Sequence, residues 1–143
     1  MIIVDACVAV KWFIPEPMSD EAEALLAGVE RRAAPEHILV EVGNTLIRVY
    51  RGGGMTLDHA QQSIEALSEL LQLVPTWDLA GAALRIAADV SCTNYDALYL
   101  AAAGRTGAHL VTADRRLVMQ ARTTRWQDRV RLLGRPGHLS ESG

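Results

Sequence analysis

The chain opens MIIVDACVAVKW, residues 1–12, and the reading of this stretch decides the fold. Ile2, Ile3 and Val4 form a short β-branched run, which predicts a buried strand. Val8, Ala9 and Val10 continue the apolar pattern after it. Asp5 is the one charged residue among the first ten. A carboxylate set among core residues is costly unless something pairs with it. A second stretch has the same form. AHLVTAD, residues 108–114, is an apolar run that ends in Asp114.

Helical patterns lie between and after these two strands. SDEAEALLAGVERR (19–32) predicts a helix with Ser19 as N-cap, acids in its first turn, and Arg31 and Arg32 in its last. Ala22, Leu25, Leu26 and Val29 fall on one face of it. APEHILVEVGNTLIRVYRGGG (34–54) predicts a helix that begins at Pro35 and stops at three glycines. Ile38, Val42, Leu46 and Val49 keep its apolar spacing. Thr56 caps a helix over 57–73, and LVPTW (73–77) reads as a strand or its end. Asp78 caps a helix over 79–90. NYDALYLAAAG (94–104) is an Ala-rich helix closed by Gly104 and Gly107. RRLVMQAR (115–122) reads as a helix, RVRLL (129–133) as an edge strand, and 134–143 as a flexible C-terminal tail. Short strands alternating with helices predict an α/β layer fold, with a central parallel sheet flanked by helices in one domain over 1–133.

Composition narrows the function. The chain has 143 residues and a formal net charge of −3, which excludes a grossly basic nucleic-acid binder. The charge is uneven: eight Arg in 105–143 face Asp114, Asp128 and Glu141, so the first 104 residues carry −8. Such asymmetry marks either a basic face for a polyanion beside an acidic pocket or a solvated helical surface. Cys7 and Cys92 form no CxxC and have no adjacent His, so they read as reduced core thiols in a cytoplasmic protein. No run approaches the roughly 18 apolar residues of a membrane span. The N-terminus has no basic leader segment, and Asp5 interrupts its apolar run.

Four acids are candidates for chemistry, each with a plain structural alternative. Asp5 and Asp114 follow equivalent strands. In a parallel sheet such ends meet along one edge, where ligands bind; either residue alone also suits a helix N-cap. Glu41 sits among Leu39, Val40 and Val42, and shares a helical face with Asn44 and Arg48 at i, i+3 and i+7. That face is either a solvated stripe or the wall of a polar pocket. Asp96 begins a helix that is otherwise nearly all apolar; it either complements the helix dipole or joins the others in one cleft. Four converging carboxylates repel one another unless a cation sits among them. Mg²⁺, a hard ion that binds through a few carboxylates and keeps several waters, answers that need. His37, His59, His109 and His138 share no spacing and read as surface or capping residues.

In order and spacing, VDACVAVKWF (4–13), VEVGNTL (40–46), NYDALYLAAA (94–103) and LVTADRRL (110–117) resemble the four acidic blocks of the PIN-domain family, and most of all its VapC-type toxins. The resemblance implies a Mg²⁺-dependent endoribonuclease, with Mn²⁺ able to substitute, on a three-layer PIN fold. It implies Asp5, Glu41, Asp96 and Asp114 as the acidic pocket, with Asp5, Asp96 and Asp114 on the metal. It implies Asn44 and Thr112 as polar residues that orient the acids, a cognate antitoxin that blocks the pocket, and a homodimer. Cys7 stands where the first block often has Ser or Thr. A thiol is a weaker hydrogen-bonding group, so weaker support of Asp5 is expected. Arg115 and Arg116 are candidates for holding the RNA backbone through sequence-independent contacts. Leu25, Leu26, Leu46 and Tyr50 are candidates for a groove that takes an amphipathic helix of the antitoxin. The alternative function is a PIN-fold module that binds RNA or protein without cutting. A phosphatase using Asp5 as nucleophile ranks last, because Cys7 stands where a second Asp is wanted.

Overall fold

The computed structural model describes residues 1–135. Five strands, β1 (Ile2–Val4), β2 (Arg32–Pro35), β3 (Gln72–Val74), β4 (His109–Thr112) and β5 (Val130–Leu132), form one sheet in the order β3-β2-β1-β4-β5, all parallel. Seven α-helices flank it: α1 (Ala6–Ala9), α2 (Ser19–Ala27), α3 (Ile38–Arg51), α4 (Leu57–Leu70), α5 (Ala80–Val90), α6 (Asn94–Thr106) and α7 (Arg115–Ala121). Right-handed crossovers place α2–α4 on one face of this strand order and α5–α7 on the other. The expected three-layer α/β architecture is what the chain adopts.

β1 is the centre of the sheet, and Ile2, Ile3 and Val4 are all buried. In register, Ile3 pairs with Ala33 of β2 and Leu110 of β4. Both faces of such a strand are covered, which is why it reads as an unbroken apolar run. α6 explains its composition in the same way. Ala97 through Ala103 are all buried, so the helix has no solvent stripe and small residues let it lie close on β1, β2 and β4.

Several boundaries differ from the sequence reading, each for a local reason. Ser19 is the first residue of α2 and not its cap; its Oγ accepts from the Glu16 N–H at 3.0 Å, so it ties down the preceding loop. α2 stops at Ala27, and Val29 is fully exposed rather than part of an apolar face. Arg32 opens β2, yet its Nη1 still donates to the Leu25 carbonyl at 3.1 Å, serving the end of α2 from the strand. Pro35 ends β2 instead of starting a helix. Asp78 lies in a 3₁₀ turn over Thr76–Asp78 and faces Arg105 at 3.6 Å, while Leu79 precedes α5 without a side-chain cap. Gly104 lies inside α6, and the stop is Gly107 at φ +72. Thr56 caps α4 as expected, accepting from the His59 N–H. Leu133 and Gly134 form the turn after β5, closed by the Arg135 N–H donating to the Leu132 carbonyl at 3.2 Å. The rest of the expected tail, with His138, lies outside the described residues. No helix among those residues is long and apolar enough to cross a membrane.

Gly104 is held by packing. A Cβ there would stand 2.8 Å from Cη2 of Trp126, whose ring is buried. Gly81, also helical, has nothing within 4 Å. Gly104→Val should therefore destabilise the fold by about 2 kcal/mol through overpacking. Gly81→Ala should stabilise it by up to about 1 kcal/mol through helix propensity. Urea unfolding of the two variants checks the pair; equal effects would refute the packing account.

Candidate active site

Ligands bind a parallel sheet at the carboxyl ends of its strands, in the crevice where the strand order reverses. Here the chain leaves β1 toward β2 and β3 and returns on the other side to β4, so the crevice lies over β1 and β4. Asp5 directly follows β1, and Asp114 comes two residues after β4. Asp96 is in the first turn of α6, and Glu41 in the first turn of α3. α6 packs on β1, β2 and β4, and α3 packs on α1, so the topology brings all four acids to one edge.

Asp5 is 5% exposed. It occupies the N-cap position of α1 but makes no side-chain cap there. Its Oδ2 instead accepts a hydrogen bond of 2.7 Å from the Thr112 hydroxyl, at the end of the neighbouring strand. Thr112 is fully buried, and its Oγ1 also accepts from the Asp114 N–H at 3.0 Å. A hydroxyl has one proton. Thr112 gives that proton to Asp5, so in its 3.5 Å contact with Cys7 the thiol is the donor. Cys7 Sγ in turn accepts from the Ala113 N–H at 3.3 Å. The thiol thus joins the network expected of a hydroxyl at this position. Burial, with the Asp5 charge added, pushes its pKa up to about 12 and keeps the proton on sulfur.

The acids feel one another. Burial lifts the Asp5 carboxyl from an ordinary 3.8 to about 6; Thr112 pulls it back, and the charges of Asp96 and Glu41 raise it. Asp96 is half-buried and is raised as well, first by burial and then by Asp114 and Glu41; the cap from Thr93 and the nearby Arg116 oppose this. Asp114 also plays the part of a helix cap, its Oδ1 accepting from the Arg116 N–H at 2.9 Å.

Two residues beyond the expected set stand at Glu41. His37 Nε2 lies 2.8 Å from Glu41 Oε1, although the approach is too oblique for a hydrogen bond, and both atoms are buried without one. The His37 ring packs tilted against Tyr99, with centroids 4.8 Å apart and planes at 54°, and the buried Tyr99 hydroxyl also has no hydrogen-bond partner among the described residues. Burial, then the charges of Asp5 and Glu41, raise the Tyr99 pKa, so the phenol stays protonated. The i, i+4 spacing of His37 and Glu41 is the signal that would have found this pair. Asn44 is exposed and shows no hydrogen bond to an acid; it shares a recess of about 670 Å³ with His37, Glu41 and Tyr95. Arg115 and Arg116 are exposed at the start of α7. Leu46 is 1% exposed and belongs to the core, so it cannot line a partner groove; Leu25 and Leu26 are half-buried and Tyr50 is exposed.

The residues suit a hard divalent cation. The donors are all carboxylates, and burial together with neighbouring acids raises the pKa of Asp5 and Asp96, which a cation would reverse. Glu41 Oε1 is buried without a hydrogen-bond donor. Among the described residues no three His, Cys, Asp or Glu side chains already form a closed ligand set. Mg²⁺ keeps most of its waters and needs only one or two carboxylates directly.

A five-stranded parallel sheet with acids converging at its switch point defines the class. The family model for the PIN domain matches residues 2–123, and the chain belongs to the PIN-domain family. Ribonuclease VapC3 of Pyrobaculum aerophilum is 29% identical over 119 residues, covering 81% of this chain and 91% of that protein. The crystal structure of PAE2754 from Pyrobaculum aerophilum superposes with a TM-score of 0.67 at 21% identity, covering 92% of this chain and 88% of that one; this likeness is one of fold.

The raised Asp5 pKa fixes the sign of a stability test. The stability linked to this group is fully present below pH 3.8 and is lost as pH rises through about 6. A shift of this size is on the order of 3 kcal/mol. In EDTA at pH 7.5, Asp5→Asn should thus unfold at higher denaturant than wild type, since Asn still accepts from Thr112. Between about pH 4 and 6 wild type should weaken more than the variant, which keeps only the contribution of the other raised acid, Asp96. A destabilised Asp5→Asn would contradict the assignment of a repelled, buried carboxylate.

Proposed function

We propose that the protein is a divalent-metal-dependent endoribonuclease of VapC type, the toxin of a toxin–antitoxin pair. The observation that carries this reading is that Asp5, Glu41, Asp96 and Asp114 come to one sheet edge, where buried Asp5 feels the charges of Asp96 and Glu41 and Asp96 those of Asp114 and Glu41. The name Ribonuclease VapC3 of a relative similar along most of its length supports it. Asp5, Asp96 and Asp114 would hold hydrated Mg²⁺ or Mn²⁺. When bound, such an ion lowers the pKa of a coordinated water and offsets charge on the phosphate.

The chain's own residues have distinct tasks. Thr112 orients Asp5 and, through the Asp114 backbone N–H, fixes the start of α7. Glu41, next to His37, is suited to take a proton from the attacking water. Tyr99 offers a neutral donor on the same side. Asp114 keeps Oδ2 free of hydrogen bonds from the described residues, since its cap uses Oδ1. The proposed partners are RNA as substrate, a cognate antitoxin, and a second copy of this chain, all in the cytoplasm. The open ligand set is what favours the second reading, a PIN-fold module that binds RNA or protein without cutting it.

Incubation of structured and single-stranded RNA with Mg²⁺ or Mn²⁺ separates the two. Cleavage is expected with metal, background with EDTA, and background for Asp5→Asn and Asp96→Asn with metal. RNA retained on the protein but left whole would establish the second reading. Mn²⁺ at a hundred times its dissociation constant should also stabilise wild type by about 2.7 kcal/mol, and Asp5→Asn by much less.

A further inference from the structure

A second recess, of about 400 Å³, opens between the N-terminal segment and α3, and Cys7, Lys11, Glu16, Arg48 and Asp114 line it together. Lys11 is only 9% exposed, and among the described residues its ammonium meets one partner, Glu16 Oε2, at 3.4 Å. That is a long contact for a buried charge, which needs close partners to offset its desolvation. Arg48 is exposed on α3 and its Nη2 donates to Thr45 Oγ1 at 3.2 Å, which leaves most of its five N–H donors unused. Arg48 also lines the recess that holds Glu41, His37 and Tyr95. It therefore borders both the recess that Asp114 lines and the recess that Glu41 lines.

We propose that Lys11 and Arg48 form a phosphate-binding subsite that seats the RNA backbone beside the acidic cluster, a statement that rests on the nuclease reading above. A polyanion approaching four carboxylates is repelled, so a cleft that admits it needs cations on its own walls. A lysine supplies a point charge and an arginine a planar fork, and both suit phosphate oxygens. Glu16 takes the place of that phosphate on Lys11 in the free protein and is displaced by it. Arg115 and Arg116, exposed at the start of α7, are not in this recess.

The test is anisotropy of a labelled single-stranded RNA oligonucleotide in EDTA, titrated with wild type and variants across a salt series. Lys11→Met, close in shape, and Arg48→Gln, at an exposed position, should each weaken binding about tenfold. Each should also lower the salt slope by about one unit. Lys11→Arg should retain affinity, and Glu16→Gln should tighten it, an effect that a purely structural Lys11–Glu16 pair would not produce. Wild-type affinity and slope in both Lys11→Met and Arg48→Gln would overturn the proposal, as would no RNA binding by wild type. Excess inorganic phosphate should compete weakly; complete displacement would show a small-anion site and overturn the RNA assignment. A separate reaction of wild type with Mn²⁺ reads the nuclease activity itself. Uncut RNA there defeats the nuclease reading, while the binding data still judge the subsite.

Discussion

The structure depends on one hydrogen bond, 2.7 Å from the Thr112 hydroxyl to the Asp5 carboxylate. It joins the ends of two neighbouring parallel strands, where β1 hands over to α1 and β4 to α7. Thr112 has a single proton to give, so giving it to Asp5 makes its oxygen an acceptor for the Asp114 N–H and the Cys7 thiol. The acid after β1 and the acid after β4 are thereby held by the same oxygen atom. No local rule of helix capping would place them so; the strand register does, with Val4 opposite Val111.

This arrangement works against the stability of the fold. A carboxylate with 5% exposure and two charged neighbours is disfavoured in its ionised form, and its pKa moves up to about 6. The rest of the molecule offsets that cost with ordinary core. Ile3, Val4 and Leu110 are fully buried beneath the site, and the alanines of α6 pack on the strands beside them. That apolar base holds Asp5 within reach of the charges of Asp96 and Glu41. Such a site gains stability when its charge is neutralised, as by a proton on Asp5 below about pH 6.

Much of this was legible in the sequence, for specific reasons. The two strands followed by Asp5 and Asp114 are β-branched or apolar runs with an acid one or two residues past the end, so the approach of those acids follows from a parallel sheet. Glu41 and Asp96 interrupt apolar patterns, and such interruptions are informative. β2 was not legible: Arg32, Ala33, Ala34 and Pro35 have low strand propensity, and only pairing between β1 and β3 makes them a strand. The same error moved the start of α3 from Ile38 to Pro35. Lys11 was not legible as a buried charge because its one ion-pair partner among the described residues, Glu16, lies in a loop without a periodic signal. His37 shares no spacing with the other histidines, and only its i, i+4 relation to Glu41 marks it in the sequence.

The central claim is that these carboxylates crowd together in anticipation of a divalent ion. The most direct measurement is a carboxyl-carbon NMR titration of Asp5, with and without saturating Mg²⁺. The account predicts a midpoint near 6 in the metal-free protein and a fall of about two units or more when Mg²⁺ is present. A midpoint in the ordinary carboxylate range without metal, or one that Mg²⁺ leaves unmoved, would contradict it.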